Sequence, residues 1–267
     1  MEIGINLYCY ADEKNLPLEK QAELMKQNGF TKTFCFPHEE AANENGANLL
    51  SRYGISFDTL HAPFDNINDI WKNEECGDIM LKRLLDSIDK CKIVGAPVMI
   101  VHLSSKTPAP RVSDAGFSRF DRLLEYAHHN GIKTAFENQR VISNISCILE
   151  NYENAGFCWD VGHEECFAFG RRYMDIFGER LSALHIHDNR KEHNKDEHLI
   201  PFDGLIDYNR VALSITKYRY TGTLMLEVMR NNSDRYTNIS PEDYYERAGK
   251  AAKKLKALTD SYRILVR

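Results

Sequence analysis

Nine residues able to hold a divalent cation lie along the chain: His61, His102, Glu137, Asp160, His163, His185, Asp196, His198 and Glu227. Nearly all of them stand where a short apolar run ends. His61 follows Ile55-Ser-Phe-Asp-Thr-Leu60, His102 follows Val98-Met-Ile-Val101, and Glu137 ends Thr134-Ala-Phe136. Asp160 ends Phe157-Cys-Trp159, His185 sits in Leu184-His-Ile-His-Asp188, and Glu227 follows Leu224-Met-Leu226. A carboxylate at the end of a buried strand is costly unless it is paired or metal-bound. A single one is more often a structural ion pair, but chance would scatter six such residues over both ends of their strands. Carboxylates and imidazoles together suit one to three divalent ions, zinc or manganese foremost. Asp160 and His163, three apart, can face one cavity from a strand end into a turn, and Asp196 and His198, two apart, share a side of an extended loop.

Positioning these residues requires buried parallel strands. Eight β-rich runs are read at Ile3–Tyr8, Thr31–Phe36, Ile55–Leu60, Val98–Leu103, Thr134–Glu137, Phe157–Asp160, Ala183–His187 and Thr223–Val228, several almost continuously apolar. Between them run helical patterns. Leu16 to Asn28 and Ser113 to Asn130 each end in Asn-Gly, Asp78 to Val94 ends at Gly95, and Pro241 to Leu258 reads as the last helix. Strand–helix alternation without a Gly-x-Gly-x-x-Gly fingerprint predicts a (β/α)8 barrel of the α/β class, one domain spanning 1–267, whose active site lies at the C-terminal ends of the strands.

Composition bounds the partners. A length of 267 residues matches one such barrel, and the 43% hydrophobic and 27% charged content is that of a soluble globular chain. With a net charge of −5 and no run of basic residues longer than a pair, the chain lacks a footprint for nucleic acid or an anionic membrane. Seven cysteines without a Cys-x-x-Cys pair indicate a reducing cytoplasm, with Cys35 and Cys158 as small core residues. The start has no signal-peptide pattern, and no apolar run reaches membrane-spanning length. A homo-oligomer is compatible with this sequence.

Leu60-His-Ala-Pro63, Glu137-Asn138, Asp160-Val-Gly-His163, His185-Ile-His-Asp188 and Asp196-Glu-His-Leu-Ile-Pro-Phe-Asp-Gly204, taken in order, resemble the xylose isomerase-like TIM barrel superfamily, which includes endonuclease IV. The resemblance covers essentially the whole chain. It implies that Glu137, Asp160, His185 and Glu227 match the metal site common to the superfamily's isomerases and epimerases. It also implies a second metal on His61 and His102 bridged by Glu137, and a third on His163, Asp196 and His198, as in the trinuclear site of endonuclease IV. Among other residues, His187 shares a strand face with His185 and either lines the pocket or orients a ligand. Asn138, Asn6 and Phe64 are further substrate-contact candidates. Arg111, Arg190 and Lys191 lie in loops near the same face, and His38, His128, His129 and His193 read as loop or helix-end residues.

Two chemistries fit such a metal box. One is a metal-dependent isomerase or epimerase of a sugar or sugar phosphate. There the ion acidifies a C–H beside a carbonyl, and two carboxylates exchange the proton from opposite sides, a place the resemblance gives to Glu137 and Glu227. The absence of an acid between Asn138 and Ser146 departs from some of the family's epimerases. The other is phosphodiester hydrolysis at abasic DNA, which the full ligand set favours. Phe36-Pro-His-Glu-Glu40 opposes it, being acidic where that family carries a DNA-inserting arginine. A non-catalytic metal-binding barrel is the third reading.

Overall fold

The structure, a computed structural model, describes residues 1–10 and 16–265. Residues 11–15 and 266–267 of the expected 1–267 domain lie outside the described residues. Nine β segments occur among the described residues: β1 (Ile3–Ile5), β2 (Lys32–Thr33), β3 (Ser56–Phe57), β4 (Thr59–His61), β5 (Val98–Val101), β6 (Lys133–Glu137), β7 (Gly156–Asp160), β8 (Leu181–His185) and β9 (Leu224–Leu226). All their pairings are parallel. They run β3-β2-β1-β9 and β4-β5-β6-β7-β8. The two arcs join twice. β3 and β4 are halves of one strand interrupted at Asp58, the first half paired to β2 and the second to β5. On the other side, Ile186 bridges Leu226 in parallel, its N–H donating to the Met225 carbonyl at 2.9 Å while the Glu227 N–H donates to the Ile186 carbonyl at 3.1 Å. The expected eight-stranded α/β barrel is thereby closed.

The helices outside it are α1 (Leu18–Asn28), α2 (Glu44–Arg52), α3 (Glu75–Val94), α4 (Asp114–His129), α5 (Ile142–Asn151), α6 (Val161–Phe167), α7 (Tyr173–Phe177), α8 (Tyr208–Lys217) and α9 (Pro241–Leu265). Their ends obey local chemistry. Ser113 caps α4 by accepting the Gly116 N–H at 3.1 Å. Gly29 and Gly95 end α1 and α3 with φ of 87° and 74°, a left-handed conformation that glycine adopts without a Cβ clash. The tail helix runs seven residues past the expected Leu258. None of the helices is long and apolar enough to cross a membrane.

Period two decides what lies inside the barrel. Ile100, Ala135, Cys158 and Ala183 form a small interior cluster of their own. Two residues further along the same strands stand His102, Glu137, Asp160 and His185. The ligand candidates therefore rest on a layer of small apolar side chains, and Cys158 belongs to that layer. The opposite faces of these strands (Met99, Phe136, Trp159 and Leu184 among them) join the main core under the helices. The paired segments are shorter than the runs read from sequence. Past Ile5 and Thr33, only single hydrogen bonds such as Asn6 N–H to Leu226 O and Leu7 N–H to Phe34 O continue the ladder, as the strand ends splay around the site.

Candidate metal centre

Glu137, at the end of β6 and 1% exposed, is the hub of the site. Its Oε1 lies 2.9 Å from His163 Nδ1 and 3.3 Å from His102 Nε2, and its Oε2 lies 2.9 Å from His185 Nδ1 and 3.4 Å from His61 Nε2. One carboxylate thus faces four imidazoles, three from strand ends and one from the first turn of α6. Around it the candidate ligands fall into groups whose donor atoms all lie within 4.8 Å of one another: Glu137, Asp160, His185 and Glu227; His61, His102 and Glu137; and His163, His187, Asp196 and His198. All nine expected ligands are brought together, and His187 joins the third group.

Local structure aims these side chains. Asp160 caps α6, its Oδ1 accepting the His163 N–H at 2.5 Å, so the Asp160–His163 spacing is a helix N-terminus. α6 is anchored in turn by Glu164, fully buried, which accepts from Trp159 Nε1 and the Tyr173 N–H and pairs with Arg172 and Arg210. Asp196 and His198 return to the barrel because Asp188 folds their loop. Its carboxylate accepts the N–H groups of Asn189, Phe202 and Ile206, and its backbone pairs antiparallel with Leu199. Several imidazoles are oriented by backbone carbonyls. Nδ1–H of His61 donates to Ala62 O at 2.7 Å, that of His163 to Asn138 O at 3.1 Å, and that of His198 to Glu227 O at 2.9 Å, leaving each Nε2 turned inward.

The electrostatics are those of a charge-compensated cluster. Burial opposes charge on Glu137, but His102 and His185 outweigh it and hold the carboxyl well below the ordinary carboxylate range. Glu227 is lowered against its burial by His185, and Asp196 against its burial by His198 and His163. Conversely, burial disfavours protonation of His163 and His185, yet Asp160 with Asp196, and Glu227 with Glu137, push them well above the imidazole range. His198 is pushed up to about 10, Asp196 overriding burial. His102 goes the other way, because its burial outweighs the pull of Glu137. Even so, Asp160 Oδ2, Asp196 Oδ1 and His187 Nε2 are buried without a hydrogen-bond partner. Unpartnered buried oxygens beside clustered imidazoles are what a divalent cation would satisfy, so the donor set fits the expected metals.

Glu137, His61, His102, His163, Asp196, His198 and Glu227 open onto a cavity of about 480 Å³. Of the expected substrate contacts, Asn6 and Phe64 line it, and Phe64 stacks on His102 at 4.9 Å. Asn138 and His187 are placed beneath it instead. The Asn138 amide donates to Asp160 O at 2.9 Å and accepts the Asp160 N–H at 2.8 Å, tying β6 to β7, and neither residue is exposed. Arg190 pairs with Asp234 and Glu197, Lys191 pairs with Glu165, and Arg111 lies off the cavity.

Sequence reading missed Gln139, Glu39, Lys106 and Arg140, all on the cavity wall. Gln139 Nε2 donates to Glu137 Oε1 at 2.9 Å and to His102 Nε2 at 3.0 Å. Its position two residues beyond Glu137 was the available signal. Glu39 accepts the Phe36 N–H at 2.7 Å, and burial pushes its carboxyl up to about 7. Only the folding of the β2–α2 loop brings it to the wall.

Comparisons with known proteins agree with this architecture. The family model described as "Xylose isomerase-like TIM barrel" matches residues 22–259. Protein y4fM of Sinorhizobium fredii, called uncharacterized, is 27% identical over 209 residues, covering 72% of this chain and 64% of that one. Protein MJ1311 of Methanocaldococcus jannaschii, also called uncharacterized, is 24% identical over 195 residues, covering 67% of this chain and 66% of that one. The chain thus spans just under two thirds of the length of these curated relatives. Among solved structures, D-psicose 3-epimerase with D-tagatose from Clostridium cellulolyticum H10 superposes with a TM-score of 0.79 at 12% identity, covering 97% and 99% of the two chains. A D-tagatose 3-epimerase-like protein gives 0.74 at 20%, covering 100% of both, and the IolI protein with a binding zinc atom gives 0.75 at 16%, covering 98% and 99%. These likenesses are of fold. With its barrel closed and the family model matched over most of its length, the chain belongs to the xylose isomerase-like TIM barrel family.

Proposed function

We propose that the chain is a metal-dependent isomerase or epimerase of a sugar or sugar phosphate. The observation carrying this reading is the convergence of Glu137, Asp160, His185 and Glu227 beneath a cavity of about 480 Å³, a volume suited to one small molecule. A divalent ion held by those four would supply Lewis acidity to a carbonyl and its neighbouring hydroxyl. Glu137 and Glu227, from β6 and from the end of β9, remove and return the proton on the intervening carbon. Glu39 provides a third carboxyl on the wall, poised near neutrality, where no acid follows Glu137 in the sequence. Phe34, Phe36 and Phe64 keep water from one side of the cavity. Lys106 and Arg140, the latter over the Phe167 ring at 3.9 Å, line it without an ion pair among the described residues, which favours a phosphorylated or otherwise anionic sugar.

Hydrolysis at abasic DNA is kept as a second reading, because three of the five overlapping donor groups together take in all nine ligands. Acidic Glu39 on the cavity wall and the net charge of −5 oppose it. One experiment separates the two. Protein reconstituted with manganese, and separately with zinc, is given ketoses, aldoses and their phosphates in D2O, and deuterium entering beside the carbonyl is followed by NMR. Exchange that Glu137→Gln abolishes is the expected result. No exchange on any sugar, together with nicking of an abasic duplex by the same protein, reverses the assignment.

A further inference from the structure

The geometry points to the third group being a coordinatively closed, structural metal site of four protein ligands, with His187 as the fourth. His163, His187 and His198 each turn Nε2 toward Asp196, and the four donor atoms lie within 4.8 Å of one another. His163 Nε2 and His198 Nε2 are both 3.1 Å from Asp196 Oδ2, and His187 Nε2 is 3.6 Å from Asp196 Oδ1. Each imidazole has its Nδ1 near a carbonyl, Asn138 for His163 (whose Nδ1 also lies 2.9 Å from Glu137 Oε1), Glu227 for His198 and, at a long 3.5 Å, Asp188 for His187. His187 is fully buried, so its orientation is not a surface accident. Its Nε2 also lies 3.1 Å from Asp160 Oδ1, but that oxygen already accepts the His163 N–H, and Nε2 makes no hydrogen bond at all. Asp196 Oδ1 is likewise buried and unpartnered.

The fold makes room for this ring. A Cβ on Gly162 would come within 1.9 Å of His187 Cε1, and His187 stacks on His198 with centroids 4.0 Å apart. Three imidazoles and one carboxylate suit tetrahedral zinc, and a zinc with four protein ligands keeps no position for substrate or water. The role left to it is mechanical. It fastens α6 and the β8–α8 loop to the barrel, whichever reaction the cavity performs. The groups beneath and beside the cavity remain the ones available to substrate.

The test counts metal and asks where it is. Full-length protein loaded with zinc is exchanged against a chelator of moderate strength, and retained zinc per chain and its release rate are measured. Wild type is expected to keep one slowly released zinc, and His187→Phe, which preserves the ring stack, to release it at least about tenfold faster. His61→Ala should leave it in place. The thermal midpoint should fall in zinc-loaded His187→Phe far more than in the chelated variant. A slow zinc unchanged in His187→Phe, or lost equally in His61→Ala, overturns the assignment. Should the variant fail to fold, wild type carrying cobalt(II) in the slow site decides the matter. Intense visible absorption marks four-coordination, and the weak spectrum of a six-coordinate ion rejects it.

Discussion

At Glu137 one side chain, Gln139, stands among the ligand atoms. Its amide nitrogen, with two hydrogens, lies within 3.1 Å of Glu137 Oε1, His102 Nε2 and His163 Nδ1. The first two are ligand atoms of the second group, so the protein occupies that position with its own donor. Asp160, Asp196 and His187, in the first and third groups, keep unpartnered atoms. Gln139→Ala should therefore raise the affinity of the second group for metal, read as additional zinc bound per chain in calorimetric titration. An unchanged stoichiometry and affinity would mean that the amide does not compete. Six of the ligands were legible at this scale, because each closes an apolar run. The plug was not, because an uncharged glutamine announces no chemistry until its amide is seen between two ligands.

The element that matters most to the third group is the loop from β8 to α8, and its stability rests on Asp188. A buried carboxylate accepting three backbone N–H groups fixes the chain direction at Asn189, Phe202 and Ile206 together. Asp188→Ala leaves those donors unmatched, and a loss of roughly 2–4 kcal/mol is expected. The amides of Phe202 and Ile206 should lose hydrogen-exchange protection first, and the slow zinc should be released faster although no ligand has changed. Retained protection would show that the Asp188–Leu199 backbone pairing holds the loop alone. The helices α1, α3 and α4 were legible from their caps, whereas this loop has no periodicity, and only the segments His185-Ile-His-Asp188 and Asp196 to Gly204 marked it. Asn138 was assigned to substrate on adjacency to Glu137. The sheet instead turns it toward the neighbouring strand, where an amide can bridge backbone groups.

Over the whole molecule the cluster behaves as a proton store. His163, His185 and His198 are raised, so in the metal-free protein they carry protons at pH 7, balanced by Glu137, Asp196 and Glu227. The raised imidazoles add stability that is full below their unfolded value and is lost as pH rises through the folded one. The lowered carboxylates add stability present above their unfolded values and lost in acid. The two contributions overlap in the neutral range, where the metal-free barrel is expected to be most stable. A cation must displace those protons. Zinc added at pH 7 in weak buffer should release protons, on the order of one per histidine engaged, and apparent affinity should rise with pH. Zinc uptake without proton release would mean that these histidines are neutral before binding.

By itself the sequence determined the alternation of strand and helix, the barrel it implies, and the six ligand candidates that close its apolar runs. Those follow from periodicity and from the cost of burying a charge, both local properties. Tertiary structure alone decided the grouping. Closure of the barrel at Asp58 and Ile186 sets which strand ends are neighbours, and Asp188 sets where the long loop returns. It also decided that His187 points beneath the cavity while Gln139, Glu39, Lys106 and Arg140 line it. Distances between residues far apart in the chain depend on how the strands pack around a common axis, and no local pattern encodes them.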